Sequence, residues 1–193
     1  LLGVAALPAE PPLGNLPIVQ YWDAEEPPED VAAAMEGWRT AHPGLRHLAF
    51  HRATARAYLA EHYGEKGAAA FDACPHPAVE SDLLRFAVLA REGGIWADVD
   101  ERCRRPWDGL LALVPPRGLI VAFSDELPFY AHTFLLAARP GNPIMARALG
   151  GAMRALLRQR PGVRLPVWLA TGPGLLTRLI VADPARAQLM SHA

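Results

Sequence analysis

Short apolar runs alternate along this chain with longer segments in which apolar residues recur every three or four positions. Apolar runs of this length, bounded by polar residues, glycine or proline, are typical of buried β-strands. The runs that we interpret as strands are LPIVQYW (16–22), HLAFH (47–51), IWADVD (95–100), GLIVAFSDE (118–126) and HTFLLAA (132–138). The helical period is found in VAAAMEGWRTAH (31–42), ATARAYLAEHYG (53–64), VESDLLRFAVLAREGG (79–94), PIMARALGGAMRALLRQR (143–160) and the segment opened by TGPG (171–174).

Single residues in these segments predict where the helices begin and end. Asp30 can cap the first helix, because a short acidic side chain accepts hydrogen bonds from the first free amides. Gly64 is expected to stop the second helix and to be followed by loop over 65–77, whereas Gly93 ends the third.

The order of these elements predicts the fold class. Residues 1–15 contain proline, glycine and leucine without a period, and we interpret them as an extended N-terminal arm before one domain, 16–193. Strands that alternate with helices through short connections predict an α/β fold, an α/β/α sandwich around a mostly parallel sheet. Ligands of such folds bind at the carboxyl ends of the strands.

Two aspartates close one of these predicted strands. Asp98 and Asp100 are two residues apart, so in an extended segment both carboxylates face the same side. Hard carboxylate oxygens suit Mg²⁺ or Mn²⁺, and an ion held there can bind a diphosphate. A solvated strand end with a chance pairing, or a strained turn, explains the same residues without a metal.

A second polar pair lies at the start of the preceding predicted helix. Asp82 and Arg85 are three residues apart and therefore neighbours on one helical face. A capping acid with a surface ion pair would explain them and would contribute little. Alternatively, the pair faces sugar hydroxyls and phosphate, which arginine binds through forked hydrogen bonds.

The block SDLLRFAVLAREGGIWADVD (81–100) resembles the signature of the DXD sugar-transferase family, which contains fungal α-1,6-mannosyltransferases and bacterial capsule glycosyltransferases. That signature is approximately S-D-x-x-R-x-x-x-L-x-x-x-G-G-x-Y-x-D-x-D, and Trp96 stands here where tyrosine is commoner. Other segments that resemble the family are LPIVQYW, GWRTAHPGL, FLLAARPGNP and ATGPGLLT. The resemblance implies a GT-A fold, a UDP- or GDP-sugar donor, a divalent Mn²⁺ or Mg²⁺ ion, a glycan or other hydroxyl acceptor and retention of anomeric configuration.

The same resemblance implies a role for each matching residue. Asp100 resembles the metal ligand, and Asp98 resembles a donor contact that also reaches the metal through water. Asp82 and Arg85 resemble contacts to the donor sugar. The residues implied for the base pocket, where core packing is the alternative for both aromatic side chains, are Gln20, Tyr21 and Trp22.

Several positions depart from the family pattern. Val19 replaces the histidine of the opening H-Q-x-W segment, and His132 stands where an asparagine is common. The family usually supplies a late metal ligand, for which His192 is the candidate here. Thr171 and Gly172 open the last long helix, whose free amides could receive phosphate or acceptor oxygens, or which could need only a tight turn there.

Composition limits the classes of protein to which the chain can belong. The chain of 193 residues is 51% apolar, which indicates a globular domain, and its net charge of −1 gives no case for nucleic-acid binding. Cys74 and Cys103 form no CxxC pair, so we interpret them as thiols, with a disulfide left open. No run of about 18 apolar residues predicts a transmembrane segment. We expect a cytoplasmic protein, with attachment to a membrane surface left open.

Two rival functions remain beside the glycosyltransferase. A degenerate domain of the same fold would bind a nucleotide or a glycan without turnover, and the substitution at His132 favours it. A metal-dependent phosphohydrolase could use the same acids, but Arg102 and Arg104 do not replace the threonine, serine or lysine set that it would need.

Overall fold

The computed structural model describes residues 16–107, 109, 112–116, 118–123, 130–160, 162–163 and 165–191. The predicted N-terminal arm, the end of the fourth predicted strand at 124–126, and His192 lie outside the described residues. The strands are β1 (Pro17–Tyr21), β2 (Arg46–Phe50), β3 (Gly94–Ala97), β4 (Leu119–Phe123), β5 (Ala131–Ala138) and β6 (Ala187–Ser191). The helices are α1 (Glu29–Ala41), α2 (Arg52–Asp72), α3 (Pro77–Arg91), α4 (Pro143–Leu157), α5 (Val167–Ala170) and α6 (Pro173–Ala182), with a 3-10 turn at Pro184–Arg186.

The six strands form one sheet in the order β2-β1-β3-β5-β4-β6. Strand β5 runs antiparallel to both of its neighbours, β3 and β4, and all other paired strands are parallel. The prediction of an α/β fold with a mostly parallel sheet is therefore confirmed. Because β5 runs in the opposite direction, its first residues lie at the same edge as the carboxyl end of β3.

Helices cover both faces of the sheet, as the sandwich requires. On one face Trp38 of α1, which is 2% exposed, packs with Ile18 and Ile95. On the other face α3 is buried along most of its length, with Leu84 and Phe86 fully buried. Burial of both faces explains why the central strands are read in sequence as continuous apolar runs.

Three local predictions need correction. Helix α1 begins at Glu29 after Pro28, so Asp30 lies inside the first turn and is not the cap. Gly64 has a positive φ of 66° and kinks α2, but the helix continues to Asp72 where loop was expected. The continuation is stabilised because Ala70 and Phe71 are buried in the core.

The last described segment forms a sixth strand, which is not among the strands predicted from sequence. Residues 187–191 form β6, which pairs in parallel with β4 so that Ala187 lies opposite Leu119. The sequence of β6 has no strong apolar period, so the sequence pattern did not predict a strand there. Its backbone hydrogen bonds to β4 stabilise the strand.

Two glycines turn the chain from α3 into β3. Gly93 and Gly94 have positive φ values of 66° and 106°. A Cβ atom on Gly94 would lie 2.1 Å from the Pro17 carbonyl oxygen of β1, which leaves no room for any other residue. This close approach brings the start of β3 against β1 and directs its carboxyl end, with Asp98, toward the start of α3.

Candidate functional site

A cavity of about 600 Å³ opens at the carboxyl ends of β1 and β3. It lies where α3 begins, which is the edge at which ligands of α/β sheets bind. Its lining residues are Tyr21, Trp22, Asp23, Val31, Pro77, Ala78, Ser81, Asp82, Arg85, Val99, Thr133 and both acids of the pair, Asp98 and Asp100. The structure thus brings the two polar pairs predicted from sequence to one place.

Arg85 joins the two pairs. Its side chain is 3% exposed, and Nη1 donates to Asp82 Oδ1 at 2.8 Å. Nη2 donates to Asp98 Oδ1 at 2.7 Å and to Ser81 Oγ at 3.2 Å. A guanidinium that connects two carboxylates fixes the distance between the helix and the strand end, because its fork is planar and rigid.

Trp96 completes the fixation of this group. The indole Nε1 donates to Asp98 Oδ1 at 2.8 Å, and the Arg85 guanidinium lies 4.9 Å from the centre of the Trp96 ring. Tyrosine, which is commoner at this position, lacks the indole N–H. Trp96 therefore supplies Asp98 with an indole donor and Arg85 with a cation–π contact.

Asp82 is the deepest acid of the site. Burial raises its pKa from 3.8 to about 6, while Arg85 and a hydrogen bond from the Thr171 hydroxyl to Oδ2, 3.1 Å long, favour the charged form. Desolvation outweighs the two favourable contacts because the carboxylate has little access to water. Asp82 is therefore expected to change charge near the lower end of the physiological pH range.

The acids at the end of β3 have oxygens available for a ligand. Asp98 Oδ1 is occupied by Arg85 and Trp96, but within the described ranges no donor contacts Oδ2. Asp100 is exposed, and no hydrogen bond or ion pair to its carboxylate is found in the described part of the chain. Carboxylate oxygens of this kind fit Mn²⁺ or Mg²⁺. No group of three His, Cys, Asp or Glu residues that could hold a metal occurs among the described residues.

Sequence reasoning missed the acid that holds the aromatic wall of the cavity. Glu80 is fully buried, and its Oε2 accepts a short hydrogen bond from the Tyr21 hydroxyl. Arg52 Nη1 lies 2.9 Å from Glu80 Oε1 as an ion pair, without the alignment of a hydrogen bond. Burial and the contact to Glu80 raise the pKa of the Tyr21 hydroxyl. The only sequence signal for Glu80 was an acid in the first turn of a helix.

The segment that carries Asp100 is anchored to α1 by two contacts that sequence reasoning also missed. Trp38 Nε1 donates to the Glu101 carbonyl oxygen at 2.8 Å, and the Trp107 amide donates to His42 Nε2 at 2.7 Å. His42 is 1% exposed, and its Nδ1 lies 3.0 Å from the Trp38 carbonyl oxygen. Since that oxygen can only accept, Nδ1 carries the proton and Nε2 accepts. In the sequence, only the spacing of four residues between Trp38 and His42 within GWRTAHPGL indicated that these two side chains are neighbours.

Comparison with known families decides what this site is related to. A family model described as "Glycosyltransferase sugar-binding region containing DXD motif" matches residues 28–113. That range contains Asp82, Arg85 and both acids at the end of β3. The predicted resemblance to this DXD glycosyltransferase family is confirmed over that range.

Curated proteins that are similar to this chain include fungal mannosyltransferases. Inositol phosphoceramide mannosyltransferase 2 of Schizosaccharomyces pombe is 31% identical over 94 residues, which are 49% of this chain and 27% of that protein. The putative glycosyltransferase HOC1 of Saccharomyces cerevisiae is 24% identical over 188 aligned residues, covering 84% of this chain and 47% of that protein. The chain therefore spans about half or less of the length of these relatives.

Solved structures confirm the fold of this chain. The PaToxG glycosyltransferase superposes with a TM-score of 0.59 and 17% identity, covering 89% of this chain and 70% of the other. The ligand-free glycosyltransferase domain of the YGT toxin gives a TM-score of 0.61 and 9% identity, covering 91% and 79%. The GT-A-like α/β architecture predicted from the motif is thus confirmed.

The other residues predicted for the glycosyltransferase site lie in different places. Tyr21 and Trp22 line the cavity, as predicted for a base pocket, whereas Gln20 is fully buried and accepts from His47 Nε2 at 2.9 Å instead of lining it. Thr171 is buried and reaches the site through Asp82. No helix in the described part of the chain is long and apolar enough to cross a membrane.

Proposed function

We propose that this chain transfers a sugar from a nucleoside-diphosphate sugar to a hydroxyl acceptor and requires a divalent cation. The observation that carries the proposal is the arrangement of Asp98 and Asp100 at the mouth of the cavity. Both acids keep carboxylate oxygens without a partner in the described residues, and the buried Arg85 fixes Asp98 beside Asp82. One cation against three carboxylates leaves excess negative charge that favours a divalent cation.

The residues present fit such an ion only in part. Asp98 Oδ2 and Asp100 would supply two oxygen ligands, and the described residues offer no third acid, histidine or cysteine in reach. The remaining positions suit oxygens of a diphosphate and water, as is usual for ions bound through one or two carboxylates. When bound, the cation would neutralise charge on the diphosphate as it departs.

The walls of the cavity would divide the donor between them. Tyr21, held by Glu80, and Trp22 offer aromatic surface for a nucleobase at the end of β1. Asp82 and Arg85 contact each other beside Asp98 and suit the hydroxyls of the donor sugar. Because Arg85 is held by Asp82 and Asp98, its orientation is set before a donor arrives.

The proposed reaction balances without a further reagent. The acceptor oxygen forms a bond to the anomeric carbon of the donor sugar while the bond from that carbon to the phosphate oxygen breaks. The bonding electron pair leaves with the nucleoside diphosphate, and the acceptor proton is released to the departing phosphate and then to water. We propose retention of configuration, consistent with the family resemblance, and no covalent intermediate.

Turnover separates this proposal from a binding module without activity. A panel of UDP- and GDP-sugars would be incubated with the protein and Mn²⁺, and release of nucleoside diphosphate would be followed with simple glycosides as acceptors. We expect release with one donor, lost on chelation and in Asp100→Ala, and an unchanged rate in Glu65→Ala, which alters an exposed acid on α2. Tight donor binding without release would refute the enzyme, and a product of inverted configuration by NMR would refute retention.

A further inference from the structure

A row of four aromatic rings leads away from the acids of the site. It starts at Phe134, whose carbonyl oxygen accepts the Asp98 amide at 2.8 Å. The ring centres of Phe134 and His132 are 4.7 Å apart, those of His132 and Tyr130 are also 4.7 Å apart, and Tyr130 lies 6.3 Å from Trp168. The row therefore connects the end of β3 with the short helix α5 along the first residues of β5.

The last ring of this row is both exposed and fixed. Trp168 is 51% exposed, and α5 contains no buried residue. Its indole packs against the backbone of α6 at Gly174, where a Cβ atom would lie 2.3 Å from ring atom Cε3. Tyr130 contacts the same ring edge-to-face at an interplanar angle of 63°. An aromatic ring that is held from two sides but remains half in water is ready to bind a ligand without losing much side-chain freedom.

The turn between α5 and α6 places the backbone of Trp168 beside Asp82. The Thr171 hydroxyl donates to Asp82 Oδ2 at 3.1 Å. A Cβ atom on Gly172 would lie 3.4 Å from Asp82 Oδ2 and 3.4 Å from Trp168 Cα. The backbone of Trp168 and the carboxylate of Asp82 are thus separated by the width of a single methyl group, at the side of the cavity that we assign to the donor sugar.

We propose that Trp168 and Tyr130 form the acceptor subsite, and that the acceptor is a carbohydrate. The C–H face of a pyranose packs on an aromatic ring, while its hydroxyls remain free to reach polar groups. A ring stacked on Trp168 would lie within reach of the donor sugar next to Asp82. This inference rests on the proposed function, because it names the class of acceptor for the same site.

The observations favour a sugar over a lipid surface as the occupant. The two middle rings of the row, Tyr130 and His132, are polar, and the row continues to the acids, as a site for a hydroxyl-rich molecule would. Helix α5 carries no lysine or arginine that would attract an anionic bilayer. The other large exposed residue of α5 is Leu169, which is 44% exposed, so it serves as a matched control on the same helix.

The test compares Trp168→Ala, Trp168→Tyr and Leu169→Ala. Binding of methyl α-mannopyranoside, methyl α-glucopyranoside and methyl α-galactopyranoside would be measured by saturation-transfer NMR in the presence of Mn²⁺ and the matching nucleotide. We expect at least one of these sugars to bind. Trp168→Ala should weaken its binding about tenfold, Trp168→Tyr should weaken it less, and Leu169→Ala should leave it within twofold. Nucleotide affinity should be unchanged in all three variants.

The outcomes separate failure of this inference from failure of the proposed function. If wild type binds no nucleotide with Mn²⁺, the proposed function fails and the acceptor assignment fails with it. If nucleotide binds but no sugar does, or if Trp168→Ala and Leu169→Ala behave alike, the acceptor subsite alone is refuted. Flotation with phosphatidylcholine vesicles that requires both Trp168 and Leu169 would show a membrane contact and would also overturn the subsite.

Discussion

Replacing Arg85 by methionine would remove the guanidinium that Asp82 and Asp98 share while keeping most of the apolar stem. The side chains of Arg85 and Asp82 are 3% and 10% exposed, and that of Asp98 is 28% exposed. Asp98 can regain water, but Asp82 would keep only the hydrogen bond from Thr171. Removing one partner of a buried ion pair typically costs about 3–5 kcal/mol, and the partial exposure of Asp98 favours the lower end, about 3 kcal/mol.

The chain offers a matched control for this change. Arg56 binds Asp72 through two hydrogen bonds of 2.8 and 2.7 Å, but these side chains are 50% and 48% exposed. Arg56→Met should therefore lower the free energy of unfolding much less than Arg85→Met, since water screens the pair and solvates the remaining acid. The double variant Asp82→Asn with Arg85→Met should recover part of the loss, because no buried charge is left without a partner.

Urea denaturation followed by circular dichroism would measure the free energy of unfolding at pH 8 and pH 5. Without Arg85 the pKa of Asp82 in the folded state rises further. At pH 8 the folded protein must then either keep an unpaired buried charge or take up a proton that the unfolded chain does not bind, and both lower its stability. At pH 5 the carboxylate is protonated, and the penalty disappears. The loss in Arg85→Met should thus be larger at pH 8 than at pH 5. A loss below about 1 kcal/mol, equal at both pH values, would refute the interpretation of a buried clamp.

Three further changes test other contacts of the site. Thr171→Val should lower the free energy of unfolding by about 1–3 kcal/mol and raise the pKa of Asp82 further, as measured by a carboxylate NMR titration. Thr171→Ser keeps the hydroxyl and should leave both quantities as in wild type. Equal effects of the two changes would contradict the role of this hydrogen bond. Gly94→Ala should lower the free energy of unfolding by roughly 3 kcal/mol or more, and the thermal midpoint with it, because of the 2.1 Å approach and the positive φ of 106°. A folded variant with the thermal midpoint of wild type would contradict this expectation. His42→Gln keeps an acceptor near the position of Nε2 for the Trp107 amide and should therefore retain the Mn²⁺-dependent affinity for nucleotide. His42→Asn should lower that affinity about tenfold, because its shorter side chain places the acceptor away from this position. Equal affinities in the two variants would show that this contact does not position Asp100.

Much of the fold followed from local patterns in the sequence. The apolar runs gave four strands close to their observed bounds, and Asn142, placed just before a helical period, does cap α4 through hydrogen bonds to two backbone amides. Gly93 marked the end of α3 as expected. Gly64 misled because a positive φ kinks a helix without ending it when apolar residues such as Phe71 continue the buried face.

The sequence indicated several residues of the site, but not the contacts between them. Spacing of three residues indicated the pair of Asp82 and Arg85, since helical geometry alone makes them neighbours. The contact from Arg85 to Asp98 joins different elements, and Thr171 reaches Asp82 across 89 positions of the chain. Such contacts depend on how the helices pack on the sheet, which no local pattern specifies. The burial of Glu80 escaped prediction for the same reason.

The most direct test of a metal-dependent nucleotide-sugar site is calorimetric titration of UDP and GDP into the protein, with and without Mn²⁺. Wild type, Asp100→Ala and the surface control Glu65→Ala would be compared under the same conditions. We expect one nucleotide to bind only with Mn²⁺, at least tenfold more weakly in Asp100→Ala and unchanged in Glu65→Ala. Absence of binding by both nucleotides with Mn²⁺, or equal affinity in Asp100→Ala, would contradict the assignment of Asp98 and Asp100 as the donor site.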